Sequence, residues 1–457
     1  MVVVVSQALA LQVSPSVGCR RRQLVWSSQS EEEETPLGWN EDDDAPAVPS
    51  GDWRAFRARL IETGLATAKI PEAVEGALVE EGVVTRNGTG QAGRAAARAR
   101  PKRKTLANAS PENLELAKSQ SPDLADELTG SWAHPVGAAE VGGLLLRLPL
   151  ELQLVVARET YWGKRLRQFA ASEESRRLMR EGTPASTKVF DNGDESETPF
   201  HEMLLYRVAG RFIKFELERI ARKGKVDDAG RLVIDPRVLG EADKALLDMR
   251  QDYIDSWQEV VLVLDHDSRT GSRGVALNRP AATRSNSRLS AALVEALKRE
   301  ETDIPAVDDF HGAFGDRIAA YVGCPASRAP AKAPDGAVLV HGVGDLQGAV
   351  ELAPGLGIYR GGSKAAVDRI INNQSDQLDF RFFIGTYKWA AGDLDRAIQN
   401  GIYRPAACSR ALALKQCLNL PTPLWHEVMT MLGGNSEEIA RLEYIKQHRG
   451  DNATKSN

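Results

Sequence analysis

The stretch 259-EVVLVLDHDSRTGSRGVALNRP-280 decides how the chain is read. Val260 to Leu264 is an apolar run of strand length that ends in the charged triplet Asp265-His266-Asp267. A loop with Gly271 and Gly274 follows, the apolar pattern resumes at Val275 to Leu277, and Asn278-Arg279-Pro280 stops it. An imidazole between two carboxylates suits a metal site or a proton relay, because histidine titrates near neutrality and carboxylates raise its basicity. Alternate residues of a strand point to opposite faces, however, so Asp265 and Asp267 share a side and His266 faces away. The stretch therefore reads as a β-hairpin whose aspartates cap the turn through local backbone hydrogen bonds. Proline cannot donate to a ladder and ends the second strand. Asn278 can donate and accept, and Arg279 presents a planar donor fork suited to carboxylate or phosphate. That polar strand end reads equally as a ligand contact or as a network that fixes the loop.

Outward from the hairpin, short runs rich in Val, Ile, Phe and Tyr predict strands at Ala319 to Gly323, Ala337 to His341 and Asp379 to Gly385. Helices are expected between and after them, at Ser290 to Glu300, Ser363 to Asn373, Asp393 to Asn400, Pro423 to Leu432 and Ser436 to His448. Strands and helices mix without strict βαβ alternation, which argues an α+β domain. Upstream, 142-GGLLLRLP-149 reads as a strand after the loop 131-SWAHPVG-137, and it needs a partner elsewhere. Residues 150–256 read as helical: Glu151 to Ala170, Phe200 to Arg222, and Gly240 to Trp257. In the middle helix Leu204, Val208, Phe212 and Phe215 recur on one face. Such a pair packs on a core or serves as a protein-docking arm.

At 457 residues the chain exceeds one ordinary domain. It is 42% hydrophobic with no apolar run near the roughly 20 residues a bilayer span needs, and no membrane association is read. A net charge of -5 gives no overall pull toward nucleic acid. The basic run 91-QAGRAAARARPKRKT-105, with its cations between Arg94 and Lys104, is the one candidate for phosphate backbones and otherwise reads as a linker. The four cysteines, at 19, 324, 408 and 417, share no CxxC spacing and read as small apolar packers in a reducing compartment. Met1 to Gly18 is apolar, hydroxyl-rich and free of acids, followed by Arg20-Arg21-Arg22 and the acidic run Glu31 to Glu34. That order suits an organelle leader of plastid type better than a secretory signal. Residues 1–50 otherwise read as disordered and 51–130 as helix and linker, with Trp53, Phe56, Leu60 and Ile61 on one stripe behind Asp52.

Nucleotide motifs fail on detail. In 357-GIYRGGSK-364 Lys and Ser stand in the wrong order for a phosphate loop, and the strand context is poor. The glycines of 342-GVGDLQG-348 are one residue off the dinucleotide fingerprint. No GxSxG or HExxH is present, and no cofactor is implied. His341, at a strand end, reads as a structural histidine before it reads as a base.

Taken in order, the hairpin segment, 321-YVGCP-325, 338-VLVH-341, 351-ELAPGLGIYRG-361, 382-FFIGTYKWAAGDLDRAIQNGIY-403, 424-LW-425 and 432-LGG-434 resemble the AlgH/YqgE family. The resemblance implies an α+β fold with a central, mostly antiparallel or mixed sheet flanked by helices. Residues 131–149 and 257–435 would then form the domain, 150–256 a helical insertion, and 436–457 a C-terminal helix and tail. Members with leader peptides and an upstream helix like Asp52 to Arg57 support a plastid address. The chain departs from the family at Cys324, Lys388, Asp393 and Tyr403. A bacterial member is linked to transcriptional control of exopolysaccharide synthesis, and the family carries no established biochemical activity. The sequence therefore points to a non-catalytic binding or regulatory protein. Its expected surface comprises Asn278, Arg279, Pro280, Gly323, Pro325, His341, Gly385, Trp389 and Gly392, with Trp389 exposed and a protein or an anionic small molecule as partner. The alternative is a metal-assisted hydrolase using Asp265, Asp267 and His341.

Overall fold

The computed structural model describes residues 111–121, 124–172, 199–226, 232–324 and 336–454. The leader, the stripe at 52–64, the basic run 91–105, Cys19 and Pro325 lie outside those residues.

Two six-stranded sheets carry the fold, in place of the one central sheet expected. The first runs β1 (Ala133–Pro135), β14 (Tyr403–Cys408), β2 (Leu144–Arg147), β5 (Val260–Asp267), β6 (Gly271–Ala276), β13 (Tyr387–Trp389), antiparallel throughout. The second runs β10 (Ala349–Glu351), β11 (Tyr359–Gly361), β9 (Ala337–His341), β12 (Phe380–Ile384), β8 (Ala319–Val322), β7 (Pro280–Ala282). Only the β12–β8 pair in it is parallel. With helices between and around the sheets, the architecture is α+β.

Strand alternation sorts the side chains into three cores. Val260, Leu262 and Leu264 of β5 share the largest core with Leu144, Leu146, Tyr321, Val338, Val340 and Phe383, so this core lies between the sheets. Val261 and Val263 face the other way, onto Leu145, Tyr387, Tyr403 and Leu394 of α10 (Asp393–Gln399). On the far side of the second sheet, Ala320, Leu339, Phe380 and Phe382 meet α7 (Ser287–Leu297), α8 (Val307–Phe314) and α9 (Ser363–Ile371). A central strand apolar on both faces is the mark of burial between layers, which is why β5 reads as a continuous hydrophobic run.

The hairpin forms as expected, with one irregularity. Val263 pairs with Gly274 and Asp265 with Arg273, so Leu264 is an extra residue that bulges the strand. The segment 150–256 is mainly helical: α3 (Leu150–Val156), α4 (Tyr161–Ala171), α5 (Pro199–Ala221) and α6 (Glu241–Asp255), with a small hairpin of β3 (Lys225–Val226) and β4 (Leu232–Val233). The single helix expected from Glu151 to Ala170 is broken at 157–160, where Thr160 caps α4 by accepting from Gly163 N–H at 3.1 Å. A Cβ on Gly163 would lie 2.1 Å from Ala157 O, so the tight reversal requires glycine there.

Although about a hundred residues separate them in the chain, β2 and β5 are hydrogen-bonded neighbours, Leu145 opposite Val261. The helices between them dock back onto the sheet where Arg147 of β2 holds Asp252 of α6 at 2.5 Å, and they are tied to one another where Trp162 Nε1 of α4 donates to Ala242 O of α6 at 3.0 Å. The chain continues through α11 (Arg410–Ala413) and α12 (Leu424–Leu432) to α13 (Asn435–Thr454), whose Lys446 meets Glu151 of α3 at 3.1 Å. At the other end, α1 (Pro111–Gln120) and α2 (Ala125–Thr129) join the same core, and Asn113 donates to the carboxylate of the buried Lys415–Glu427 pair. Cys324, Cys408 and Cys417 are buried thiols, none of them in a disulfide, as packers should be.

Candidate functional site

The polar end of the hairpin is an internal clasp. Asn278 Oδ1 accepts from Val260 N–H at 3.0 Å and its Nδ2 donates to Gln258 O at 2.8 Å. Arg279 donates from Nη2 to Trp257 O at 2.6 Å and from Nε to Glu259 at 3.2 Å. Glu259 is buried, and burial pushes its carboxyl above the usual range despite the Tyr387 hydroxyl and Arg279 that stabilise the anion. Tyr387 is hydrogen-bonded in turn to Tyr403, so a buried polar chain runs from Arg279 to β14. Tyr403, one of the departures from the family, supplies the hydroxyl that completes it. Pro280 opens β7 at a sheet edge, where its missing N–H is harmless.

The remaining expected residues are placed as follows. Trp389 is half-buried, stacked on Tyr387 at 5.1 Å and edge-on to Tyr403 at 6.1 Å, rather than exposed. Gly323 lies where a Cβ would meet Gly385 O at 2.3 Å, and Gly385 has φ +74° with its open face filled by Cys324 Sγ. Gly392, φ +70°, caps α10 with open space beside it. Lys388 is exposed, and Asp393 begins α10, where a carboxylate suits the helix end.

The three residues of the hydrolase alternative have separate partners. Asp265 reaches across to the second sheet and holds Arg360 at 2.7 Å. Asp267 accepts from Arg269 N–H at 2.7 Å, which caps the turn and holds its carboxyl below the usual range. His266 faces α10, with Nδ1 2.9 Å from Ser272 Oγ and Nε2 3.8 Å from Asp395. His341 is buried against Tyr359, with Nδ1 accepting from Val343 N–H at 3.1 Å and Nε2 donating to Gly361 O at 3.0 Å. Burial pushes its pKa down to about 4, so the imidazole is neutral. Among the described residues no group of three His, Cys, Asp or Glu side chains is placed to hold a metal.

The structure instead opens a cleft of about 440 Å³ beside the hairpin, and the sequence reading did not anticipate it. Arg273 of β6, the segment Glu300 to Asp303 after α7, Val338 and Leu339 of β9, Gln347, Gly348 and Val350, Arg360 in the middle of β11, Gly361, Gly362 and Lys364 of α9 line it. Arg273 holds Glu300 at 2.8 Å, and Lys364 holds Asp303 at 3.2 Å. Glu301 lies at the start of α9, where Ser363 N–H donates to it at 2.8 Å, and burial raises its pKa. The residue in the N-cap position, Gly362, has φ +75° and no side chain, so Glu301 supplies from a distance the oxygen that a capping Ser or Asp normally provides. A Cβ on Gly362 would meet Gln347 O at 2.9 Å. The strand–glycine–helix context missing from the sequence reading of 357–364 is thus present, but the helix end is already occupied. Val350 and the Leu339 strand add apolar wall, and the described lining carries one hydroxyl, Thr302, and no imidazole or thiol. Such a surface can hold a polar small molecule.

The one local hint of this cleft was the charge run 298-KREETD-303. Nothing near it in the sequence says that it meets Arg360 and Lys364.

By its two mixed-order sheets and the helices packed on them, the protein is of the α+β class. Residues 247–437 match the family model described as AlgH-like. A UPF0301 protein of Chlorobium phaeobacteroides is 26% identical over 188 residues, spanning 40% of this chain and 83% of the relative. Among solved structures, the AlgH protein of Pseudomonas aeruginosa is similar at 19% identity and a TM-score of 0.24, covering 35% of this chain and 72% of its own. A protein of Corynebacterium diphtheriae is similar at 17% identity and a TM-score of 0.27, covering 40% and 82%.

Proposed function

We propose that the AlgH-like domain is a non-catalytic binding module of regulatory type, and that its ligand site is the cleft between Arg273, Glu300 to Asp303, Arg360 and Lys364. The cleft itself carries this reading: about 440 Å³ is within the usual range for small-molecule sites, and its wall is built jointly by both sheets and two helix ends. A ligand held there touches segments far apart in the chain and stabilises their union. Asn278 and Arg279 then serve the module indirectly, by fixing the start of β5.

The test is a thermal-shift screen of a metabolite collection against the protein and against Val350→Arg, whose exposed site lets a long side chain obstruct the cleft without entering the core. A ligand present at a hundred times its Kd stabilises by about 2.7 kcal/mol. Hits on the wild type that vanish in Val350→Arg support the reading; a collection without such hits overturns it. The plastid address belongs to the same proposal and is checked by imaging residues 1–60 fused to a fluorescent protein.

A further inference from the structure

The charges on the cleft wall define the ligand's chemistry, an inference that rests on the binding reading above. Six ionisable side chains line the space: Arg273, Arg360 and Lys364 against Glu300, Glu301 and Asp303. The two signs balance. A ligand of one sign would satisfy half of them and leave the other half facing like charge in a partly desolvated space. Lys364 and Asp303 make the pair most open to exchange, since their side chains are 51% and 65% exposed and such pairs contribute little to stability. A molecule entering between them replaces one water-facing ion pair with two that are better enclosed. Arg273 and Glu300, 28% and 24% exposed, make a second and better enclosed pair on the same wall. The α9 N-terminus is not part of this site, because Glu301 fills it. The rest of the lining includes Val338, Leu339, Val350 and the bare backbone of Gly348 and Gly361, which suits an uncharged spacer.

We propose that the cleft binds a zwitterionic small molecule, its carboxylate at Lys364 and Arg273, its ammonium at Asp303 and Glu300, and an apolar or amide spacer over Val350. Amino acids with separated charges and short peptides have this chemistry.

The experiment is calorimetric titration of the full-length protein with glycyl-leucine, succinate and 1,4-diaminobutane at one ionic strength. Glycyl-leucine is expected to bind saturably and at least about tenfold tighter than the dianion or the diamine. Lys364→Ala and Asp303→Ala, both at exposed positions that leave the fold intact, should each weaken it about tenfold, as the loss of one charge-assisted hydrogen bond requires. The proposal is overturned if either single-sign probe binds as tightly, if glycyl-leucine shows no saturable binding, or if both variants bind it unchanged. A metabolite screen that yields cleft-dependent hits of a single charge sign overturns the zwitterion while the binding module stands. A screen without hits removes the module itself.

Discussion

His341 shows most plainly how a residue with reactive chemistry can be entirely structural. Its Nδ1 accepts from Val343 N–H and its Nε2–H donates to Gly361 O, which fixes one neutral tautomer. A second ring proton would point an N–H at an N–H in a buried space. Burial accordingly holds the pKa at about 4, against an ordinary value near 6.5. The unfolded chain takes up this proton below about pH 6.5 and the folded chain does not, so acid favours unfolding. The contribution is complete above pH 6.5 and is lost progressively as pH falls toward 4. Between pH 7 and pH 5 it amounts to about 2 kcal/mol. His341→Gln should be less stable at pH 7 yet lose about 2 kcal/mol less over that interval, read from urea midpoints at the two pH values. Equal losses in both proteins would mean that His341 is protonated in the fold. The structural role of this histidine was legible from its place at a strand end. The roles of Asn278 and Arg279 were not, because both depend on the turn at 257–259 folding back, and Gln258 at φ +51° is a conformation no propensity announces.

At the scale of elements, alternation carried the sequence reading a long way. The double-sided apolar run of β5, the Phe380–Phe382 pair and the five residues of β9 identify strands because their periods leave no other packing. What alternation could not supply is the bulge at Leu264, which turns Asp265 toward Arg360, or the tight contact between the turn after β12 and the end of β8. There Gly385, at φ +74°, faces Cys324, whose sulfur would lie 2.7 Å from an added Cβ. The two positions therefore share one volume. Gly385→Ala should destabilise by about 3 kcal/mol, roughly half from the left-handed backbone and half from overpacking. Only the second half depends on the sulfur. In a Cys324→Ala background the same change should therefore cost about 1–2 kcal/mol, giving a coupling of at least about 1 kcal/mol in a double-mutant cycle by chemical denaturation. Additive effects would show that the sulfur does not fill that space.

For the whole molecule, the helices within 150–256 were readable from their periodicity, whereas the cleft was not, since five short segments separated by up to about ninety residues meet to form it. One of the ties that attach the block is an ion pair buried on the sheet side. Arg147 is 1% exposed and ends β2, its guanidinium 5.5 Å from the centre of the Tyr403 ring. Its Nη2 donates to Asp252 of α6, while Nε and Nη1 are buried without a hydrogen-bond partner among the described residues. Asp252 is the counter-charge that makes this burial tolerable, and it comes from the helices rather than from the sheet. Removing it should cost about 2 kcal/mol, less than the 3–5 kcal/mol of a fully enclosed pair because the Asp252 side chain is 65% exposed. The loss should also be local at first: in Asp252→Ala the amides of α6 should exchange with deuterium faster than in the wild type, while those of α7 and β9 keep their protection. Arg147→Met in the same background removes the stranded charge and should recover most of the stability, since a buried pair replaced on both sides by apolar groups is often neutral. If Asp252→Ala leaves α6 exchange unchanged, or if Arg147→Met deepens the loss, the helices are held by their apolar contacts and the ion pair is incidental.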